Sequence, residues 1–221
     1  MYDITKHSDI TKYIVYPSKN KICNCDLFPP DATKLPIVRN SMYKTYALNE
    51  HHFKPFYHID YVLPTIEKLL HFGYNVNDFK LVERRHEGHD VSYLTPNKRR
   101  RFDVYDLTDD MFFRNMSFDF IRNGKNKDES LTQYHNLYAF PHKCSRIINN
   151  GVHNGRTLVI SGDSQMIPII PVLACYFKEV WYLDNRDGVS HTQGLDDIEV
   201  TDILIAGGYE EENKYLETNL I

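Results

Sequence analysis

The segment Thr157-Leu-Val-Ile-Ser-Gly-Asp-Ser164 decides the fold that the sequence predicts. It begins with four residues that are apolar or β-branched, passes into Gly-Asp-Ser, and leads directly into the apolar segment 165–177. This order predicts a buried strand, a tight turn and a helix. In an open α/β sheet, ligands bind at the carboxyl ends of the parallel strands, close to backbone N–H groups of the following helix. Ser164 is therefore the candidate nucleophile.

Further apolar segments predict the rest of an α/β domain. The expected strands are 12–17, 157–160, 179–183 and 202–207, and the expected helices are 59–72, 165–177 and 210–220. Strands that alternate with crossover segments predict a parallel sheet with helices on both faces. The region 80–150 mixes periodicities and polar loops, so we expect an insertion or lid there. The 221 residues are accordingly predicted to form a single domain.

Composition and charge exclude several classes of protein. The net charge of −4 gives no reason to expect nucleic acid or a membrane surface as partner. No window reaches the roughly 18 apolar residues of a membrane span, and residues 1–6 lack the apolar core of a signal peptide. The chain as written is therefore expected to be cytoplasmic, or a domain excised from a longer cell-envelope protein.

The metal-ligating residue types do not form a recognisable metal site. The four cysteines, Cys23, Cys25, Cys144 and Cys175, lack the paired spacing of zinc sites. In the segment His86-Glu-Gly-His-Asp90 the histidines are three positions apart, whereas the helical zinc-protease motif requires four. We expect no bound metal, reduced thiols, and a turn at 86–90.

A serine hydroxyl becomes a useful nucleophile only when a base takes its proton, and this base is usually a histidine held by a carboxylate. The last histidine, His191, has no aspartate three residues before it. The upstream candidate is Glu50-His51-His52. Glu50 could accept the Nδ1–H of His52 and leave Nε2 facing Ser164. Taken alone, the same residues are also compatible with a histidine pair on the surface.

Two segments, in their order along the chain, resemble the motifs of a known family. Asn49-Glu-His-His-Phe53 and Gly162-Asp-Ser-Gln165 are similar to the Thr-Asp-His-His-Trp and Gly-Asp-Ser-Phe motifs of the SGNH-like O-acetyltransferases of cell-surface polysaccharides, the alginate and peptidoglycan group. Glu50, Phe53 and Gln165 stand where the family has aspartate, tryptophan and phenylalanine. The flanking segments 13–19, 182–186 and 200–205 resemble the family as well, and 80–150 does not.

The resemblance implies a flavodoxin-like, SGNH-hydrolase-type fold and acyl transfer through an acyl-serine intermediate. Ser164, His52 and Glu50 would form the catalytic triad, since glutamate orients the base in some Ser-His hydrolases. The oxyanion and substrate-binding group would comprise Asp163, Arg186, Asn185, His51 and Phe53. Two alternatives stay open: Asp163 shapes the turn, and Arg186 forms an ion pair with an aspartate.

The resemblance also implies partners. A polysaccharide or oligosaccharide would be the acceptor. No bound cofactor is expected, but a transferase requires an acetyl donor, for which acetyl-CoA is a candidate. A membrane-bound protein that supplies acetyl groups, or a longer parent chain, is a further expectation. A carbohydrate acetylesterase with the same triad and a non-catalytic glycan-binding module are the alternative functions.

Overall fold

The computed structural model describes residues 7–18, 28–36, 53, 55–86, 89–97, 101–106, 116–119, 144–184 and 195–210. The strands are β1 Thr11–Ser18, β2 Thr33–Lys34, β3 Phe79–His86, β4 His89–Pro96, β5 Arg101–Asp106, β6 Met116–Asp119, β7 Cys144–Ile148, β8 Thr157–Gly162, β9 Glu179–Asp184 and β10 Asp202–Glu210. The α-helices are Pro55–Tyr57, Leu63–Leu70 and Ile170–Leu173. His58–Val62 is a π-helix, and Val76–Asp78 and Ile167–Ile169 are 3₁₀-helices.

The main sheet has eight strands in the order β2-β1-β10-β8-β9-β7-β5-β6. The first five of these are parallel to one another. The strands predicted at 12–17, 157–160, 179–183 and 202–207 are all confirmed, as β1, β8, β9 and β10. The predicted α/β fold class is therefore confirmed, and β8, which carries the Gly-Asp-Ser turn, lies near the middle of the sheet.

The sheet is not wholly parallel, which corrects the prediction from sequence. β7, β5 and β6 extend it beyond β9 as antiparallel strands. A separate antiparallel pair, β3 and β4, forms a second sheet. Antiparallel neighbours can be connected without a crossover helix, so a region without helical periodicity can still lengthen a sheet. All five of these strands come from 79–148, most of the predicted insertion. The assignment to a single domain stays a prediction.

Alternate residues of the central strands supply two separate hydrophobic clusters. Leu158, Ile160 and Leu204 belong to the larger cluster, and Val159 and Ile203 belong to the smaller. Successive side chains of a strand point to opposite faces, so the clusters lie on opposite sides of the sheet. The Leu63–Leu70 and Ile170–Leu173 helices pack into the larger cluster. Among the described residues, the segment 195–200 covers the other.

The α-helix Leu63–Leu70, which precedes β3 and β4, ends earlier than predicted. The apolar spacing and Gly73 predict a helix over 59–72, but its α-helical part ends at Leu70. His71 adopts the left-handed conformation, with φ of 49°, and its N–H donates to the carbonyl of Glu67. A C-terminal cap in this conformation is most often glycine. Arg156 reinforces the end by donating to the carbonyl oxygens of Leu70 (2.7 Å) and His71 (3.1 Å).

The helix after the Gly-Asp-Ser turn is much shorter than the predicted 165–177. The segment forms the 3₁₀-helix Ile167–Ile169, followed by the α-helix Ile170–Leu173. Pro168 and Pro171 explain this difference, because proline has no N–H to donate and is tolerated only in the first turn of a helix. Each proline stands at the start of its own short helix.

The carboxyl-terminal helix predicted at 210–220 lies outside the described residues, apart from Glu210, which ends β10. Among the helices that the structure describes, none is long and apolar enough to cross a membrane.

Candidate functional site

The Gly-Asp-Ser turn leaves β8 at the edge where the parallel strands of the sheet end. Ser164 is nearly buried, with 9% of its surface exposed. Asp163 closes the turn with two hydrogen bonds: its Oδ1 accepts the N–H of Gln165 (2.8 Å), and its carbonyl accepts the N–H of Met166 (3.0 Å). Among the described non-glycine residues only His71 has a positive φ. Ser164 is thus presented by a tight turn without left-handed strain.

Asp163 is also bonded to the neighbouring part of the sheet. The hydroxyl of Tyr16, near the end of β1, donates to Asp163 Oδ1 over 2.6 Å, and both side chains are buried. A buried carboxylate requires such donors. These contacts support the turn-shaping alternative for Asp163. Its place in the substrate-binding group stays a prediction.

Gln165 brings the two sequence motifs together. Its side-chain Oε1 accepts the backbone N–H of Phe53 over 3.0 Å, although the residues are 112 positions apart. The carbonyl of Gln165 lies 3.2 Å from Nε2 of His58 in the π-helix. A carbonyl oxygen only accepts, so this bond requires the proton on Nε2. One buried residue therefore connects the Gly-Asp-Ser turn with both Phe53 and His58.

Phe53 is a packing residue in this structure. Its ring lies 5.4 Å from that of Tyr16, 4.5 Å from that of Tyr57 and 5.7 Å from that of His58, measured between ring centroids. Only 4% of its surface is exposed. The aromatic cluster fixes the chain immediately after the predicted catalytic histidine, and a direct contact between Phe53 and substrate stays a prediction.

The carboxyl end of β9 lies beside the turn. Asp184, the last residue of β9, is the register partner of Gly162, and its side chain is buried. The Tyr182 hydroxyl donates to the carbonyl of Gly162 over 3.3 Å. Asp184, the last described residue of this strand, therefore lies next to the Gly-Asp-Ser turn.

The remaining predicted site residues lie outside the described residues. They are Glu50, His51, His52, Asn185 and Arg186. Their roles stay predictions. Of the residues that the structure does describe, no three His, Cys, Asp or Glu side chains form a group able to hold a metal ion.

The tyrosines with shifted pKa values lie at the opposite edge of the sheet, where β8 and β9 begin. Burial raises the pKa of Tyr74 to about 12, with a smaller contribution from the charge of Asp60. Burial likewise raises the pKa of the Tyr176 hydroxyl. The two rings are 6.2 Å apart and belong to an aromatic cluster with Phe72 and Phe79. This cluster is separate from the serine site.

Sequence reasoning missed three residues that organise the site: Tyr16, His58 and the side chain of Gln165. A signal existed for Gln165, because a polar residue at the start of an apolar segment is expected to be buried and must then find a partner. The partner could not be identified from sequence, since it is a backbone group distant in the chain.

The parallel strands, the short helices and the Gly-Asp-Ser turn at the carboxyl edge form an α/β fold. Solved structures share it. PatB1 of Bacillus cereus with a sulfonyl adduct has a TM-score of 0.65 at 16% identity, over 90% of this chain and 81% of that one. A second structure of Bacillus cereus PatB1 has a TM-score of 0.64 at 17% identity, over 93% of this chain and 84% of that one.

A third similar structure is a DHHW family protein from Eubacterium siraeum, with a TM-score of 0.58 at 14% identity, over 90% of this chain and 77% of that one. At these identities the similarity shows the fold alone. No protein-family model and no curated protein matches the sequence.

Proposed function

We propose that the protein is a serine-dependent acyltransferase acting on a carbohydrate, and that its reaction is O-acetylation of a surface polysaccharide or its precursor. The observation that carries the proposal is the hydrogen bond from Phe53 N–H to Gln165 Oε1. Phe53 directly follows His52, and Gln165 directly follows Ser164. Consecutive Cα atoms are about 3.8 Å apart. The predicted base and the predicted nucleophile therefore belong to segments that touch.

The structural neighbours support the same reaction class. PatB1 is a peptidoglycan O-acetyltransferase of the SGNH type. The name of the DHHW family spells Asp-His-His-Trp in one-letter code, and Glu50-His-His-Phe53 is the similar segment of this chain. The shared fold supports acetyl transfer to a carbohydrate.

The proposed mechanism uses the triad expected from sequence. Ser164 Oγ attacks the carbonyl carbon of the acetyl donor while His52 Nε2 takes the hydroxyl proton, and Glu50 accepts from Nδ1–H to stabilise the imidazolium. The leaving group departs with that proton, which leaves acetyl-Ser164. A sugar hydroxyl then gives its proton to His52 and attacks the acetyl carbonyl carbon, and Ser164 Oγ leaves as it takes the proton back from His52. Water in place of the sugar makes the same enzyme an acetylesterase.

The developing oxyanion needs preorganised donors. The Ser164 N–H is one candidate, and Asn185 or Arg186 is the other. The position of β9 supports this second assignment, because Asp184 is the register partner of Gly162 and neighbouring strands are about 4.8 Å apart. Each such donor typically contributes about 3 kcal/mol to lowering the barrier.

A sulfonyl fluoride tests the nucleophile, as the sulfonyl adduct of PatB1 suggests. We expect one adduct, located on Ser164 by peptide mass spectrometry and absent from Ser164→Ala. His52→Ala should slow labelling by about 10³-fold or more, since the triad acts as a unit. His153→Ala is the matched control, because this exposed histidine precedes the amino end of β8. Labelling that spares Ser164, or that is unchanged in His52→Ala, contradicts the proposal.

Acyl transfer is tested with two donors, acetyl-CoA and 4-nitrophenyl acetate, and soluble oligosaccharides as acceptors. Acetyl ester on the sugar, seen by mass spectrometry and lost in Ser164→Ala, supports the transferase. Free acetate with transient acetyl-Ser164 supports the esterase. If only 4-nitrophenyl acetate acylates Ser164, the donor is expected to come from another protein, such as a membrane-bound acetyl supplier. If Ser164 is neither acylated nor sulfonylated, the non-catalytic glycan-binding module is the alternative that remains.

A further inference from the structure

Gln165 makes more connections than a residue of an apolar turn needs. It is buried, with 4% of its surface exposed. Its backbone N–H donates to Asp163 Oδ1, and its carbonyl accepts from His58. These two bonds would form with any residue at this position. The third, from Phe53 N–H to Oε1, depends on the glutamine side chain alone.

The group that Gln165 binds is well placed to control the predicted base. The N–H of Phe53 belongs to the peptide bond that joins His52 to Phe53. A peptide bond is planar, so a hydrogen bond to its N–H restrains the orientation of the whole unit. The acceptor is the side chain of the residue that directly follows Ser164. A shift of this hydrogen bond therefore moves the peptide unit that follows His52 relative to the residue that follows Ser164.

We propose that Gln165 is a positioning residue, whose side-chain carbonyl holds the segment bearing His52 against the Ser164 turn. The inference rests on the proposed function, and it adds the element that assembles the triad. Gln165 acts through His52 and does not touch the reacting atoms. A misplacement of about 1 Å in a catalytic group can cost about 10²-fold in rate. The side-chain carbonyl is therefore expected to affect chemistry more than folding.

The packing around Phe53 makes the assignment specific to the hydrogen bond. The Phe53 ring is held by Tyr16, Tyr57 and His58, which are present in any variant of Gln165. Gln165→Met keeps the length and the buried volume of the side chain but removes the acceptor. The ring cluster is expected to remain, while the peptide unit before it loses its restraint.

The test is a double-mutant cycle on the second-order rate constant for labelling of Ser164 by a fluorophosphonate. Gln165→Met is expected to label about 10- to 100-fold more slowly than wild type. His52→Ala should be slower still, and Gln165→Met in the His52→Ala background should add less than about twofold. The matched control is Asn149→Leu, because the Asn149 side chain is another buried amide that bonds backbone groups, here Ala174 O (2.7 Å) and Gly151 N (3.0 Å).

Several results would overturn the proposal. One is a labelling rate constant of Gln165→Met equal to that of wild type. Another is a loss of rate from Gln165→Met that is as large in the His52→Ala background as in wild type. The third is an equal loss of rate in Asn149→Leu, which would indicate a general effect of stability. Should Gln165→Met fail to fold, Gln165→Glu carries the test, since it keeps an acceptor oxygen. A rate near wild type supports the proposal, and a folded variant as slow as His52→Ala refutes it. No labelling of wild type would refute the proposed function itself.

Discussion

Tyr16→Phe isolates the hydrogen bond that joins the Gly-Asp-Ser turn to β1. Tyr16 is fully buried, and its hydroxyl donates to Asp163 Oδ1 over 2.6 Å. Phenylalanine keeps the ring and its edge contact with Phe53, at 5.4 Å between centroids. The substitution therefore removes the bond and leaves a buried carboxylate with one donor fewer. Hydrogen bonds to charged groups contribute about 1.5–3 kcal/mol, so the free energy of unfolding should fall by about 2–3 kcal/mol.

Tyr57→Phe is the matched comparison for this prediction. Tyr57 is also buried and packs on Phe53, but its hydroxyl donates to a neutral acceptor, the carbonyl of Pro36, over 2.9 Å. Loss of a bond between neutral groups should cost about 1 kcal/mol. Urea unfolding at pH 7, followed by far-UV circular dichroism, measures both values. If Tyr16→Phe costs no more than Tyr57→Phe, the charge of Asp163 does not determine the strength of this bond, and the reasoning is wrong.

Three further substitutions test the surrounding structure by chemical denaturation. Gly162→Ala should cost about 1–3 kcal/mol, because the new Cβ would lie 2.8 Å from Cγ of buried Met166; unchanged stability would contradict the close packing. Tyr74→Phe should stabilise by about 1 kcal/mol, since the buried hydroxyl has no partner in the described part of the chain. The raised pKa of Tyr74 means that stability is lost as pH rises from about 10 towards about 12, and the Phe variant should lose less. Arg156→Met removes the ion pair with Asp202 and two bonds to backbone carbonyls, so a cost of about 3 kcal/mol is expected; a cost below about 1 kcal/mol would refute it.

The central strands could be predicted because burial on both faces of a strand produces a recognisable apolar pattern in the sequence. Every residue of β8 and β9 is buried. A strand covered on both faces reads as a continuous apolar segment bounded by turn residues, as Leu158–Ile160 before Gly162 does. The parallel arrangement follows from the crossovers between such strands. The order of strands does not follow, because β10, the last in sequence, lies between β1 and β8.

The antiparallel part of the sheet could not be predicted from the same signals. β5 and β6 pair over only four positions, Arg101 to Val104 with Met116 to Asp119. Periodicity over four residues does not distinguish a strand from a loop. The pairing of β7 with β9 depends on a neighbour more than thirty positions downstream, as in Arg146 with Trp181. Whether such a segment forms a strand depends on the edge of the sheet with which it pairs.

The residues that make up the serine site could likewise be predicted only in part, because some of their contacts are distant in the sequence. The Gly-Asp-Ser motif predicts the tight turn that carries Ser164, because local residue types determine a tight turn. The bond from Phe53 to Gln165 spans 112 positions and exists only after the sheet and the 53–70 segment have packed together. The order of motifs predicts which segments belong to the site. Only the folded chain shows which atoms join them.

The hydrogen bonds of the turn also restrict where an oxyanion could bind. In a helix that starts directly after the nucleophile, the first backbone N–H groups would point at the substrate. Here the N–H groups of Gln165 and Met166 are both bonded to Asp163, and the first helical residue is Ile167. Asp163 therefore uses the donors that a longer helix would offer to a ligand. If the protein transfers acyl groups, the second oxyanion donor must come from a neighbouring element. One neighbouring element is β9, whose last residue, Asp184, is the register partner of Gly162, and Asn185 and Arg186 follow Asp184 in the sequence.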